Sequence, residues 1–298
     1  MPHTVAKAFE ILSERLEITP LQLSIVSKRH ERVREVLKRA LPVVDGGDFL
    51  TGSYMRRTMI APLKEADIDI FIVLDEKYRY DYNPASLLDK VKYILKKEYR
   101  ETTDISRDGQ AVTISFSDCK IDVVPAFPRR VGLKFRRKYR GFIIANTIEK
   151  AWIATDPHQH TAIWREANKK HDGKLIPLIK MIKGWNKENG RLLTSFHLEC
   201  LILQIMKYQS ITDFLANVRY VFQSARRKIR YSVADPAGYN YDVGTYLNTR
   251  SKREEVESHL ESSYRRARKA EEYAAKGKIE EAYSNWQLIF GKYFPAYD

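Results

Sequence analysis

The sequence predicts an α/β (α+β) chain in two lobes, a mixed sheet backed by a long helix and then a helical half. Three observations carry this. Short β-branched runs stand at Asp67–Leu74 (DIDIFIVL), Ala111–Phe116 (AVTISF) and Lys120–Phe127 (KIDVVPAF), and such runs between turn residues read as strands. Apolar residues at helical spacing precede them in Leu21–Leu41. Beyond about residue 130 helical periodicity dominates. The chain has 298 residues. Single cores stop growing at roughly 250–300 residues, so two lobes sharing a cleft are expected.

Taken in order, Val26, Val33, Val36, Leu37 and Ala40 line one face of the first long helix, which ends before Pro42. The stretch VVDGGDFLTGSY, Val43 to Tyr54, reads as a Gly/Asp loop. After the DIDIFIVL strand, Leu87, Leu88, Val91, Ile94 and Leu95 mark a second helical face. AVTISF and KIDVVPAF then form a strand pair with a short turn at Ser117–Cys119. Past the basic run Lys134–Arg140, helical spacing recurs in Leu175–Trp185, Phe196–Met206 and Ile211–Phe222. A long charged helix is expected over Arg250–Ala275, and a shorter one carries Ala282, Trp286 and Phe290.

Lys plus Arg number 52 against 38 Asp plus Glu, a net charge of +14. That balance suits a polyanionic ligand, nucleic acid or nucleoside triphosphate, and equally a well-solvated surface. Cys119 and Cys200 are the two cysteines and have no metal-like spacing, so a disulfide framework is excluded and a reducing cytoplasm fits. The N-terminal stretch has no apolar core of a signal peptide, and no run approaches the ~20 apolar residues of a membrane span. A soluble cytoplasmic protein is expected, without membrane association.

Chemistry concentrates on three aspartates. Asp67 and Asp69 sit two apart on a strand, so both leave the same face. Ile68, Ile70 and Ile72 leave the other and can enter the core. Two neighbouring carboxylates repel unless a cation lies between them, and Mg²⁺ takes hard oxygens from carboxylates and phosphates. Asp122, on the second apolar strand, could complete the cluster. Three such carboxylates could hold two metals about 3.5–4 Å apart, the arrangement that serves phosphoryl transfer. An isolated D-x-D also fits a solvated strand end. What narrows the reading is the order: Gly52-Ser53 about fifteen residues earlier, then D-x-D, then a third Asp. Gly lets the backbone approach a phosphate and Ser adds a hydroxyl donor.

With these residues in place, GSYMRRTMIAPLKEADIDIFIVL followed by KIDVVPAF resembles the polymerase-β-like nucleotidyltransferase superfamily. Within it the chain most resembles the bacterial cGAS/DncV-like nucleotidyltransferases (CD-NTases) of anti-phage signalling. These are relatives of animal cyclic GMP-AMP synthase and 2′-5′ oligoadenylate synthetase. WIATDPHQH, LIKMIKGWN, TSFHLE, DPAGYNYDVG and WQLIFGKYFP continue the likeness in order across the second half. Lys64–Ala66 departs from it, since relatives often carry an acidic residue there. The D-I-D and I-D-V positions are intact.

The resemblance implies a polymerase-β-like lobe with a mixed, twisted sheet over residues 1–135, the long N-terminal helix included. A helical lobe over 136–298 would complete the nucleotide cleft. It implies that Asp67, Asp69 and Asp122 are catalytic and bind two Mg²⁺ ions, with Mn²⁺ able to substitute. Gly52 and Ser53 would hold the triphosphate from one side. Lys183 would neutralise its oxygens from the other, Ser195 would add a hydroxyl contact, and Phe196 would lie near a base. The residues agree in kind: Lys serves phosphate as a point charge, and an aromatic ring offers a stacking face. Taken alone, Lys183 fits a solvated helix face, Phe196 fits core packing, and Ser195 fits a helix N-cap.

Four other features have plainer readings. His158 and His160 lack further ligands at workable spacing and read as loop or packing residues. Cys119 has no evident base beside it and reads as an inert thiol. Arg129–Arg140 reads as a solvated surface or the side of a nucleotide cleft, ahead of a nucleic-acid patch. The loop with Asp235, Asn240 and Asp242 falls near the cleft by resemblance, with no base-reading side chain assignable.

The expected reaction is attack by a ribose hydroxyl of one nucleotide on the α-phosphorus of another, releasing pyrophosphate. Repetition would close a cyclic di- or trinucleotide second messenger in anti-phage defence; the word cyclic comes from the resemblance. The implied partners are nucleoside triphosphates, ATP foremost, a separate effector protein that responds to the product, and a regulatory partner protein of the kind some relatives use. Nucleic acid is not expected to be required, because the zinc-ligand cluster of the DNA-sensing relative is missing. Two rivals stand: a linear oligoadenylate or RNA-tailing transferase, and a nucleic-acid-binding protein with a degenerate transferase site.

Overall fold

The computed structural model describes residues 4–101, 104–131 and 138–297. Its contacts divide the chain into two compact units. One is Ile18–Ile163; the other joins the segment up to Glu17 to Trp164 and all that follows. The division by motif content at residue 135 is a different cut, because two strands after it pair with the sheet.

The chain opens with α1 (Val5–Leu16), capped by Thr4, and α2 (Pro20–Ala40). Thr19 and Gln22 close a reciprocal capping box on α2, and Pro20 supplies a first helical residue whose missing N–H costs nothing there. Strand β1 (Val43–Leu50) and the short helix α3 (Gly52–Met55) follow. The Gly/Asp stretch expected to be a loop is therefore largely a strand. Its glycines and a register shift between Val43 and Asp48 hide it from pattern reading, since Gly at a bulge breaks the alternation. Next come β2 (Asp67–Leu74), α4 (Pro84–Glu98), β3 (Ile105–Asp108), β4 (Ala111–Ser115) and β5 (Lys120–Val131). The basic run expected before the helices lies largely outside the described residues, and it leads into β6 (Lys138–Asn146) and β7 (Ala151–Thr155). Helices then dominate: α5 (Pro157–Lys170), α6 (Leu175–Glu188), α7 (Ser195–Met206), α8 (Phe214–Lys228), α9 (Arg250–Ala275) and α10 (Ile279–Phe290).

Among the described residues seven strands form one mixed sheet in the order β1-β2-β5-β4-β3. The long β5 pairs with β4 through its first half and with β6 through its second, and β7 follows on β6. The β2–β5 pair is parallel; the other pairs are antiparallel. One sheet face presents Ile68, Ile70, Ile72, Leu74, Val112, Ile114, Ile121 and Val123 to Val26, Val33 and Leu37 of α2 and to Leu87, Leu88, Val91 and Leu95 of α4. The expectation that the isoleucines of DIDIFIVL enter the core holds, and α4 joins the N-terminal helix in backing the sheet. The opposite face buries a smaller cluster, Phe71, Val73, Val124, Ala126 and Ile144.

In the other unit, α1 is a core element that sequence reading did not single out. Phe9 is buried edge-on against Trp286, with ring centroids 4.8 Å apart, and touches Phe290 and Phe294. Gly184 of α6 lets Leu16 close in: a Cβ there would stand 2.9 Å from Leu16 Cδ2. Trp185 is fully buried, donates from Nε1 to Ser263 Oγ at 2.7 Å, and meets Phe222 at 5.2 Å. Helix α8 starts at Phe214, where Asp213 caps it, rather than at Ile211.

Because Phe9 is enclosed by aromatic rings, Phe9→Ala is expected to cost about 3–5 kcal/mol of stability, the cost of removing a buried Phe. Urea denaturation should show a lower midpoint with an unchanged slope. A loss under about 1 kcal/mol would mean that α1 is peripheral to this core.

Candidate active site

Strand register brings the acidic residues together. In the parallel pair, Asp69 lies directly beside Asp122, and Asp67 pairs with Lys120. Directly paired residues on neighbouring strands project to the same face, so Asp67, Asp69 and Asp122 share one face of the sheet. On the far side of Asp122, the antiparallel β4 places Thr113 opposite it. Thr113 donates from Oγ1 to Asp122 Oδ1 at 2.6 Å. Asp67 is exposed, while Asp69 and Asp122 are half-buried. The Asp122 carboxyl is held above the ordinary carboxylate range, first by burial. The Thr113 bond opposes that, the Asp67 charge adds to it, and Lys120 opposes it.

The Gly52-Ser53 turn is built against the same carboxylates. The Thr51 N–H donates to the carbonyl of Asp69 at 2.9 Å, which ties the end of β1 to β2. Gly52 then takes φ +64°, and a Cβ there would overlap Oδ2 and Cγ of Asp69. Two constraints therefore converge on glycine: a left-handed backbone, and space already filled by the Asp69 carboxylate. Ser53, half-buried, follows in α3, and its carbonyl accepts from the Thr58 N–H at 2.9 Å.

The donor set fits a hard divalent cation: three carboxylates, on two adjacent strands, on one face. As the side chains stand, no three His, Cys, Asp or Glu among the described residues are gathered tightly enough to hold an ion together. The backbone register sets the neighbourhood.

The remaining predicted residues lie in the helical unit. Lys183 of α6 is buried, 7% exposed, and donates to Glu199 Oε1 of α7 at 2.9 Å; Glu199 is itself fully buried. Lys183 is therefore not on a solvated face. Ser195 is the first residue of α7 and is exposed, but the cap is Thr194, whose hydroxyl accepts from the His197 N–H. The plainer reading of Ser195 as N-cap is thus corrected by one position. Phe196 is half-buried and stacks on Trp164 at 5.9 Å. The approach to α7 is fixed from two sides. Asn186 donates to the Leu193 carbonyl at 2.7 Å and accepts its N–H at 3.0 Å. Tyr246 Oη accepts the Thr194 N–H at 3.0 Å and lies 2.9 Å from His197 Nδ1.

Other candidates fall into structural roles. His158 stacks on Phe49 at 4.4 Å, and His160 is buried; both lie in the first turn of α5, which Asp156 caps. Cys119 is buried and its thiol is pushed up to about 12, first by burial, so it is inert. In the 235–244 loop, Asp235, Asn240 and Asp242 accept hydrogen bonds from the loop's own N–H groups. Most of Arg129–Arg140 lies outside the residues whose side chains are described.

Sequence reading missed Thr113 and Glu199. Thr113 was within reach: once the turn at Ser117–Cys119 is set, hairpin register places it across from Asp122. Glu199 stands inside TSFHLE, but nothing local marks it as the partner of a lysine 16 residues earlier.

The chain is similar to known proteins in sequence and in fold. Residues 3–168, more than half of the chain, match the family model of the Second Messenger Oligonucleotide or Dinucleotide Synthetase domain. A cyclic AMP-AMP-AMP synthase of Acinetobacter is 29% identical over 216 residues, covering 69% of this chain and 60% of that protein's length. A probable cyclic nucleotide synthase of Bacillus cereus is 26% identical over 279 residues, covering 83% and 82%. Escherichia coli CdnC is similar in fold. Its structure with ATP has a TM-score of 0.77 at 15% identity, covering 98% of this chain and 99% of that one. Its complex with HORMA-deltaN has a TM-score of 0.73 at 15% identity, with 98% of each chain covered.

His197 beside the α7 cap gives a testable pH dependence. Burial foremost lowers it from 6.5 to about 4, while Asp242 opposes this and Arg253 reinforces it. The unfolded chain therefore takes up a proton near pH 6.5 that the folded chain refuses until about pH 4. This contribution is complete above pH 6.5 and is lost as the pH falls through that window, by up to about 1.4 kcal/mol per unit. Urea unfolding at pH 7, 6 and 5 should show this slope in the parent and a shallower one in His197→Gln. Equal slopes would refute it.

Proposed function

The chain belongs to the Second Messenger Oligonucleotide or Dinucleotide Synthetase family, and we propose that it joins nucleoside triphosphates into a cyclic di- or trinucleotide with release of pyrophosphate. The observation that carries this is the pairing of Asp69 with Asp122 on parallel strands, with Gly52 lying against the Asp69 carboxylate. That is an acidic patch next to a glycine turn packed directly against one of its carboxylates. The family, the synthase relatives and the charge balance support the same reading. The setting is a bacterial cGAS/DncV-like enzyme of anti-phage signalling.

The residues divide the work. Asp67, Asp69 and Asp122 are assigned to two Mg²⁺ ions, which when bound supply charge stabilisation to the attacking and leaving oxygens; Mn²⁺ is a candidate substitute. Gly52 and Ser53 are assigned to the triphosphate through backbone N–H and hydroxyl donors. Lys183 and Ser195 are assigned to triphosphate oxygens, and Phe196 to the neighbourhood of a base. Lys183 has N–H donors to spare beyond the one given to Glu199, so its buried pairing fixes the ammonium without exhausting it. In the bond-making step a ribose oxygen attacks the α-phosphorus, and the bond from that phosphorus to the pyrophosphate oxygen breaks. A second such step closes a dinucleotide ring, and a third is needed to close a trinucleotide ring.

ATP is the first substrate to test, given the relatives' names. A separate effector is the proposed reader of the product. A partner protein is a candidate regulator, since CdnC is seen in complex with HORMA-deltaN. Nucleic acid is proposed not to be required. Among the described residues no helix is long and apolar enough to cross a membrane.

The direct test incubates the pure, nuclease-treated protein with four radiolabelled triphosphates and Mg²⁺. A phosphatase-resistant product is expected, dependent on the metal and not on added duplex. A product that loses terminal phosphates to phosphatase would replace the cyclic reading with the linear one. Changing Asp67 and Asp69 together to Asn should abolish turnover with the fold intact. Gly52→Ala should also abolish it, by displacing the Asp69 carboxylate. Parent-level turnover in the double Asn variant would remove the metal assignment.

Calorimetry with a non-hydrolysable triphosphate tests the second group. Lys183→Ala and Ser195→Ala should each weaken binding, and the double variant should lose less than the sum because both groups share one ligand. Unchanged affinity in Lys183→Ala would take that lysine out of the site.

A further inference from the structure

We propose that Thr113 is a positioning residue for Asp122: its hydroxyl fixes the orientation of that carboxylate, leaving one oxygen to face the cation. The inference rests on the metal role proposed above for Asp122.

The geometry is specific. Thr113 and Asp122 are direct partners in the β4–β5 ladder, so their side chains rise from the same face. The flanking residues Val112 and Ile114 go into the core on the other face, which fixes which way Thr113 points. Its hydroxyl lies 2.6 Å from Asp122 Oδ1. That length falls in the roughly 2.5–2.7 Å range of a hydroxyl bonded to an ionised carboxylate, about twice as strong as a neutral pair. A carboxylate can only accept, so the threonine must be the donor.

Asp122 needs such a tether more than its neighbours do. The terminal torsion of an aspartate is broad and roughly two-fold, so the carboxylate has no strong preference of its own. Asp69 sits beside it in register, and the Asp67 charge acts on it as well. Both would turn it away. Threonine is β-branched and stiff at its first torsion, so its hydroxyl is a rigid anchor. With Oδ1 held by Thr113, Oδ2 is the oxygen left to face a cation. Partners that hold metal-binding side chains by hydrogen bonds typically cost 10–100-fold in metal affinity or activity when removed.

The test compares Thr113→Val with Thr113→Ser. Valine keeps the shape and suits a strand; serine keeps the hydroxyl. Mn²⁺ binding, followed by electron paramagnetic resonance with a non-hydrolysable ATP analogue present, reads the site without turnover. Thr113→Val should bind Mn²⁺ roughly 10–100-fold more weakly, lower kcat, and leave the KM for triphosphate within about threefold. Thr113→Ser should recover most of both. Melting of each variant reports the fold. Parent-like Mn²⁺ affinity in a folded Thr113→Val would overturn the proposal. So would equal loss in the Val and Ser variants, which would make Thr113 a packing residue. Asp122→Asn is the separate control: if it leaves Mn²⁺ binding unchanged, the reading of Asp122 as a ligand fails, whatever Thr113 does.

Discussion

The parallel pairing of β2 with β5 is the constraint from which the site follows. It sets Asp69 beside Asp122 and, with the same register, Ile70 beside Val123 and Ile68 beside Ile121. A slip by one residue would turn every side chain to the opposite face, burying carboxylates and exposing isoleucines. The apolar face is fully buried under α2 and α4. At about 1.5–3 kcal/mol per buried aliphatic side chain, those contacts outweigh the repulsion between two partly solvated carboxylates. The core thus holds the like charges at neighbouring positions, where a bound cation would relieve their repulsion.

The same strand carries a second division of labour along its length. At its start Asp67 and Asp69 face outward; further on, Phe71 and Val73 share that face and are buried with Val124, Ala126 and Ile144. Phe49 of β1 stacks on Phe71 at 5.5 Å, and His158 stacks on Phe49 at 4.4 Å. The backbone beneath the acidic end is therefore held in place, because the strand is packed on both faces a few residues later.

Legibility in the sequence followed how local each determinant was. DIDIFIVL, AVTISF and KIDVVPAF announced themselves through alternation and β-branching, and Arg250–Ala275 through helical periodicity and charge. β1 did not, because Gly46, Gly47 and a bulge break its pattern. β3, β6 and β7 went unread; β3 has four residues and β7 five, and strands that short carry little periodicity. α1 was passed over although five of its residues are buried, because its partners lie more than 150 residues away. The aspartates and Gly52 could be singled out by order alone. Their register, the overlap of Gly52 with the Asp69 carboxylate, the Lys183–Glu199 pair and the threonine on Asp122 are tertiary facts, visible only once strands and helices are placed.

The basic balance says nothing of where the charge acts. The net charge of +14 is already net of the carboxylates, and the structure shows which arginines face them. Between α8 and α9, Arg219 meets Glu271 at 2.8 Å, Arg226 meets Glu261, and Arg230 donates from Nε to Glu257 at 2.8 Å. Positions 219 and 226 of α8, and 230 just past its end, run against 271, 261 and 257, as antiparallel packing demands. These pairs are partly exposed, so each is worth on the order of 1 kcal/mol. Their larger effect is on the field, because a paired arginine contributes little beyond a Debye length of about 8 Å. Lys183 is the opposite case. It is paired and buried, where screening is weak and removing one partner costs about 3–5 kcal/mol. If a positive charge here is to meet phosphate, its strength comes from burial at one fixed point and not from the excess spread over the surface.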